Sequence, residues 1–364
     1  MGLELRKVSK KFGDVVALSD VSVTVGTAEY VVILGPTGAG KTTMLRVIAG
    51  LEDPDSGDIL IDGKRANVLG PEERGVVYLS QTYSLFPHMN VWKNTEFGPD
   101  VRDWDPKDKE RLVTEMLNLV RLQDRTAAYP SELSGGMRQR NALARALSTN
   151  VRTLLLDEPL RALDARLRLN LRTELRKMST DLGITSLHVT HDQEEAITIA
   201  DKIVVLRKGE IIQMGSPEEI FNNPVSPFVM HFVGEANFFT GRISSKENGG
   251  TVLKCDGLAV HARPTGLPTG SDVCVGIKTE ECSIHPGRKE GENSLTGRLE
   301  RILFLGRLTS LEISSEYGDL KAKIPSRISA TLKEGDEVTL QFGKNQAIVF
   351  PLPEDGLEKE LEVE

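Results

Sequence analysis

An unbroken apolar run, Val31-Val32-Ile33-Leu34, leads directly into Gly35-Pro36-Thr37-Gly38-Ala39-Gly40-Lys41-Thr42-Thr43. Few folds accept that juncture. A strand apolar on both faces needs cover on both sides, as in a buried parallel sheet, and the G-x-x-x-x-G-K-[ST] spacing after it describes a loop whose N–H groups turn inward around phosphate. The helix expected from Thr42 to Gly50 adds its positive N-terminal end. Lys41 is placed to reach the β- and γ-phosphates, and the Thr42 hydroxyl to ligate Mg²⁺.

Further apolar runs, Leu154-Leu155-Leu156 and Ile203-Val204-Val205-Leu206, alternate with helical patterns up to about Gly234. The expected fold of residues 1–234 is therefore α/β with a parallel sheet. Beyond Glu235 short alternating segments such as Gly297–Ile302 and Glu337–Phe342 lie between turns, which reads as a smaller all-β barrel over residues 235–364. The Asn222-Asn223-Pro224-Val225-Ser226-Pro227 stretch marks a helix stop and linker. The acidic tail from Glu354 to Glu364 reads as a solvated end. At 364 residues, two domains fit the length. No apolar run is long enough for a membrane-spanning helix, so a membrane role has to come through a partner. The N-terminus lacks signal-peptide character, which predicts a cytoplasmic chain. A net charge of −8 without a basic block argues against nucleic acid as the main ligand. Cys255, Cys274 and Cys282 match no zinc or redox spacing and read as reduced, buried thiols.

Leu154-Leu155-Leu156-Asp157-Glu158-Pro159 supplies a second half to the phosphate site. Asp157, at the carboxyl end of a buried strand, is placed to hold magnesium. Glu158 is the better candidate to orient and deprotonate an attacking water. A second glycine-bearing helix start, Ser134-Gly135-Gly136, follows much later in the chain. Ser134 reads as the N-cap of a helix from Gly135 through Leu147, whose first N–H groups need an acceptor. A γ-phosphate presented by another subunit would serve.

These residues resemble the ATPase subunits of ABC transporters over the first two-thirds of the chain. Gln81 in Tyr78-Leu79-Ser80-Gln81 matches the Q-loop, Leu133 to Gly136 the signature, Leu163-Asp164 the D-loop, and His191 in Val189-Thr190-His191-Asp192 the switch histidine. The resemblance implies a P-loop NTPase with a RecA-like core and a helical subdomain at about residues 85–150. It implies ATP and Mg²⁺ as ligands, and two subunits closing head to tail around two ATPs. Phe12 would stack on adenine, Gln81 would touch the magnesium or the water, His191 would bind the γ-phosphate and hold Glu158 in line, and Asp164 would organise the opposing phosphate loop. Leu85, Phe86 and Met89 would line the cleft that receives a membrane subunit. Two positions depart from the family pattern. Met137 replaces the glutamine that would complete a capping box, and Arg161 replaces a small residue before the D-loop aspartate.

The late domain resembles the OB-like barrel of importer ATPases of the maltose, sulfate, molybdate, polyamine and iron groups, through Val275-Gly276-Ile277-Lys278-Thr279-Glu280 and Asn293-Ser294-Leu295-Thr296-Gly297-Arg298. The expected protein is then the energy-coupling subunit of an importer, a homodimer on the cytoplasmic membrane face. It would work with two permease subunits on separate chains and, indirectly, an extracytoplasmic solute-binding protein. Overall likeness leans toward an inorganic oxyanion such as sulfate, molybdate or tungstate, ahead of polyamine, iron or sugar. A non-transport ABC ATPase lacks support because no coiled-coil insertion or second cassette is present. A purely regulatory ATP switch is disfavoured by the intact Glu158 and His191.

Overall fold

The computed structural model describes residues 2–149, 152–161, 163–247, 249–255 and 257–362. The chain divides into two compact units between Ile220 and Phe221.

The first unit opens with the antiparallel strands β1 (Leu3–Phe12) and β2 (Val15–Val25), followed by β3 (Tyr30–Leu34) and α1 (Lys41–Ala49). Strands β4 (Ser56–Ile61), β5 (Lys64–Arg65) and β6 (Val76–Leu79) precede three helices, α2 (Val91–Val101), α3 (Pro106–Leu119) and α4 (Gly135–Leu147). The unit continues through β7 (Thr153–Asp157), α5 (Ala165–Asp181), β8 (Thr185–Thr190), α6 (Gln193–Ile199), β9 (Lys202–Arg207), β10 (Glu210–Gly215) and α7 (Pro217–Asn222). Its main sheet has the order β10-β9-β3-β8-β7-β6, with parallel neighbours from β9 to β6 and β10 antiparallel at one edge. All residues of β3, β7 and β8 are buried, which is why β3 and β7 are nearly continuously apolar. A second sheet, β2-β1-β4-β5, shares the core formed by Leu5, Val23, Leu45, Leu155 and Val204. Helices α2, α3 and α4 build their own cluster, with Val113, Leu117, Ala142 and Leu143 packed together with Leu154 and Leu156 of β7.

The second unit carries α8 (Pro227–Val233), β11 (Ala236–Glu247), β12 (Gly250–Cys255), β13 (Leu258–Ala262), β14 (Asp272–Lys278), β15 (Ser283–Pro286), β16 (Ser294–Phe304), β17 (Leu308–Ser315), β18 (Gly318–Pro325), α9 (Ser326–Ser329), β19 (Glu337–Gln341), β20 (Ile348–Pro351) and α10 (Leu357–Leu361). It is all-β and OB-like in class, built from two five-stranded antiparallel sheets, β13-β12-β11-β14-β20 and β15-β19-β16-β17-β18. One core, including Val260, Val275, Leu299, Leu311 and Leu340, draws on both sheets. The division at Ile220 comes ahead of the 234/235 boundary expected from sequence texture. The reason is α8: its Met230 is buried with Cys274 and Phe350 of the second unit. The acidic tail also differs from a frayed end, because Leu357 of α10 packs on that same small cluster. Cys255, Cys274 and Cys282 are buried, and burial pushes the Cys274 and Cys282 thiols up to about 12.

Candidate active site

The phosphate loop joins β3 to α1. Gly40 sits at φ 100° as the residue before α1, and any Cβ there would collide with the carbonyl of Ala17, so the turn accepts only glycine. The loop closes on itself through Ala39 N–H donating to Pro36 O at 3.2 Å. Thr37 and Gly38 are exposed, while Gly35, Pro36 and Ala39 are buried. The Lys41 ammonium lies across the loop and donates to the Gly35 and Pro36 carbonyls, both at 2.7 Å. Burial pulls its pKa down, against the attraction of Glu158 and Asp157. Thr43 follows on α1, half-buried.

Strand β7 delivers the two carboxylates to the same edge. Asp157 Oδ1 accepts from the Thr42 hydroxyl at 3.2 Å and its Oδ2 from the Tyr78 hydroxyl at 3.1 Å. Burial raises the Asp157 pKa, while these two bonds work in the opposite direction. A hydroxyl and a carboxylate in contact beside a phosphate loop form an all-oxygen donor pair, which suits a hard divalent cation.

Glu158 adopts φ 50°, a left-handed conformation costly for a residue with a side chain. Its N–H donates to Val189 O at 3.0 Å, tying it to β8. Three side chains then converge on its carboxylate. Gln81 Nε2 donates to Oε2 at 3.1 Å, Arg161 Nη1 to Oε2 at 2.8 Å, and His191 Nδ1 lies 3.1 Å from Oε1. Side chains up to 77 residues away in the chain thus meet at Glu158.

The backbone of Glu158 is held by residues that motif reading did not single out. Tyr83 Oη donates to Glu158 O at 2.9 Å, and Gln139 Nε2, fully buried on α4, donates to Tyr83 Oη at 2.8 Å and to Pro159 O at 2.6 Å. Helix α4 is therefore wired to the turn that follows β7. Behind β8, the fully buried His188 lies 2.9 Å from Tyr30 Oη and 3.3 Å from Glu195 Oε1. Glu195 Oε2 accepts from Thr190 Oγ1 at 2.7 Å, which fixes the residue before His191. The signal for this second network was the ionisable His188 between the apolar Leu187 and Val189.

The remaining sequence-derived candidates fall into place as follows. Phe12 ends β1 and is 46% exposed, with Lys10 Nζ 5.3 Å from its ring centroid, so it is not a core residue. Ser134 caps α4 through Met137 N–H at 3.3 Å, with Gly135 and Gly136 opening the helix, and Asp164 caps α5 through Leu167 N–H at 2.9 Å. These bonds of Ser134 and Asp164 run to their own helices. The Met137 side chain packs against the α2–α4 cluster. Leu85, Phe86 and Met89 are half-buried. Phe86 sits between the Phe97 ring, at 4.5 Å between centroids, and the Arg145 guanidinium at 4.9 Å. The fully buried Asn94 accepts from Phe86 N–H at 2.9 Å and donates to Met89 O at 2.8 Å, so it shapes the whole segment.

A carboxylate held by Gln81, Arg161 and His191 beside a G-x-x-x-x-G-K-T loop defines a class, the P-loop ATPases. Comparison with known proteins narrows it. The ABC transporter family model matches residues 18–161, and the TOBE domain model matches residues 275–350. The sulfate/thiosulfate import ATP-binding protein CysA of Ralstonia nicotianae is 40% identical over 351 residues, covering 94% of either chain. The Fe(3+) ions import ATP-binding protein of Brucella abortus is 39% identical over 335 residues, covering 92% of this chain and 94% of that relative. A dimeric ATP-binding cassette solved in a post-hydrolysis state with ADP and Pi is 30% identical with a TM-score of 0.55, covering 59% of this chain and 98% of its own. The chain belongs to the ATP-hydrolysing ABC transporter family, in the group that carries a C-terminal TOBE domain. Among the described residues no helix is long and apolar enough to cross a membrane.

Proposed function

We propose that this chain is the energy-coupling ATPase subunit of an importer for an inorganic oxyanion of the sulfate class, working as a homodimer beneath two separate permease subunits. The carrying observation is the convergence of Gln81 and His191 on Glu158, one residue beyond the Asp157–Thr42 pair. In this reading Gly35 to Thr43 cradle the ATP phosphates, Lys41 turns from its loop carbonyls to the β- and γ-phosphates, and Phe12 stacks on adenine. Thr42 and Asp157 hold Mg²⁺, with Gln81 nearby, and the ion supplies charge neutralisation on the phosphates. Glu158 accepts the proton of the attacking water, while His191 aligns the carboxylate and the γ-phosphate. Ser134, Gly135 and Gly136 complete the partner subunit's site through the N-terminal end of α4, and Asp164 supports the facing loop. Leu85, Phe86 and Met89 form the docking surface for a permease, which places the chain on the cytoplasmic face of the membrane.

The sulfate class is supported by relatives such as the Ralstonia nicotianae protein, which is sulfate/thiosulfate import by name. A second reading, Fe(3+) ions, is favoured by the Brucella abortus relative at nearly equal identity. Deleting the gene should abolish uptake of radiolabelled sulfate and leave iron uptake intact; the reverse outcome selects the second reading. For the enzyme itself, Glu158→Gln should lose at least about a hundredfold in turnover yet still dimerise when ATP is added. Undiminished phosphate release by that variant would falsify the role of Glu158.

A further inference from the structure

Arg161 is the one cation in the Glu158 cluster for which the reading above has no task. It stands on the turn between β7 and α5, where its N–H closes back on Glu158 O at 3.3 Å. Its guanidinium donates to Glu158 Oε2 at 2.8 Å, the same oxygen that accepts from Gln81 at 3.1 Å, while His191 occupies Oε1. A carboxylate oxygen offers about two acceptor positions, so Oε2 is filled. A water approaching Glu158 competes for what remains on Oε1.

Gln81 and His191 have work to do at the phosphate once it arrives, whereas Arg161 does not. The Glu158 side chain is only 13% exposed, but the Arg161 side chain is 56% exposed, so the arginine can swing away without opening the core. Its way out is toward solvent. A cavity of about 60 Å³ alongside is lined by Glu158 and Glu195 as well as by Arg161, Arg168, His191 and Asp192. Within that cavity Arg168 is 3.7 Å from Asp192 and Glu195 accepts from Thr190, leaving Glu158 as the carboxylate that Arg161 holds.

We propose that Arg161 is a positioning residue that restrains Glu158, occupying the carboxylate oxygen needed by the attacking water and keeping turnover low until the D-loop turn moves. The proposal rests on Glu158 being the group that activates water. A small residue at this position, as the family pattern has it, lacks the restraint.

The test is steady-state phosphate release by the full-length chain carrying Arg161→Gly, Arg161→Gln or Arg161→Lys, each also combined with Glu158→Gln. The side chain's exposure limits the ion pair to a modest effect, so removing it should raise kcat roughly two- to fivefold with KM for ATP unchanged. Arg161→Lys should return kcat toward the wild-type value, because the charge is restored. Arg161→Gln guards against a turn destabilised by glycine. Unchanged or lower kcat in both the Gly and Gln variants, with normal thermal unfolding, overturns the restraint. If Glu158→Gln alone keeps wild-type turnover, the underlying assignment of Glu158 fails instead, and the two failures are told apart by that single variant.

Discussion

Removing one hydroxyl, in Tyr83→Phe, isolates how the strained turn at Glu158 is held. Two hydrogen bonds disappear, Tyr83 Oη to Glu158 O at 2.9 Å and Gln139 Nε2 to Tyr83 Oη at 2.8 Å. Gln139 keeps Pro159 O, so it is not stranded, while Glu158 O is left with the longer bond from Arg161 N–H at 3.3 Å. At about 1 kcal/mol net for each bond, the loss should be roughly 1–2 kcal/mol of stability. Function should suffer in parallel. A non-glycine residue at φ 50° stores about 1–2 kcal/mol, and without the tyrosine the peptide can relax. If about 1 kcal/mol of that strain favours the relaxed form, the working geometry is populated about one time in six and kcat falls about sixfold at constant KM. Stability can be read on the first unit alone, because both tryptophans, Trp92 on α2 and Trp104 just before α3, belong to it. Urea unfolding followed by their fluorescence gives the energy, and phosphate release gives kcat. A change below about 0.3 kcal/mol with unaltered kcat would show that the Tyr83 bridge holds nothing.

Two other perturbations follow from the geometry. Gly40→Ala drives a Cβ into the Ala17 carbonyl at a positive φ, so ATP affinity measured by calorimetry should fall at least tenfold and stability by more than about 1 kcal/mol; normal ATP binding refutes the tight-turn account. Burial works against the charge of Glu195, but His188, the Thr190 hydroxyl and Arg172 outweigh it and hold the carboxyl below its ordinary 4.5. A depressed folded pKa contributes stability that is complete above 4.5 and is lost as pH falls through the lower folded value. Glu195→Gln should therefore flatten the acid limb of stability against pH, and an unchanged limb sinks the assignment.

The parts of the molecule that sequence made legible are those whose cause is local. The phosphate loop is strand, turn and helix within one short stretch, and α4 runs from Gly135 to Leu147 as its cap and periodicity required. What stayed hidden is long-range. Nothing near Tyr83 says that Gln139, 56 residues later, will donate to it. Arg161 stood out as a departure, but its partner could be named only once the turn had brought it over Glu158. In the second unit, alternation marked strands without saying which of the two sheets each one joins.

Serine and aspartate caps at this site serve two masters. Ser134, Asp164 and Asp192 each accept an N–H that starts the helix behind them. A selection for lost uptake will collect substitutions at all three, yet an alanine there unravels a helix end whether or not the residue touches a ligand. The informative library is isosteric: asparagine at Asp164 or Asp192 still caps while discarding the charge, so survivors and casualties among such replacements sort architecture from chemistry.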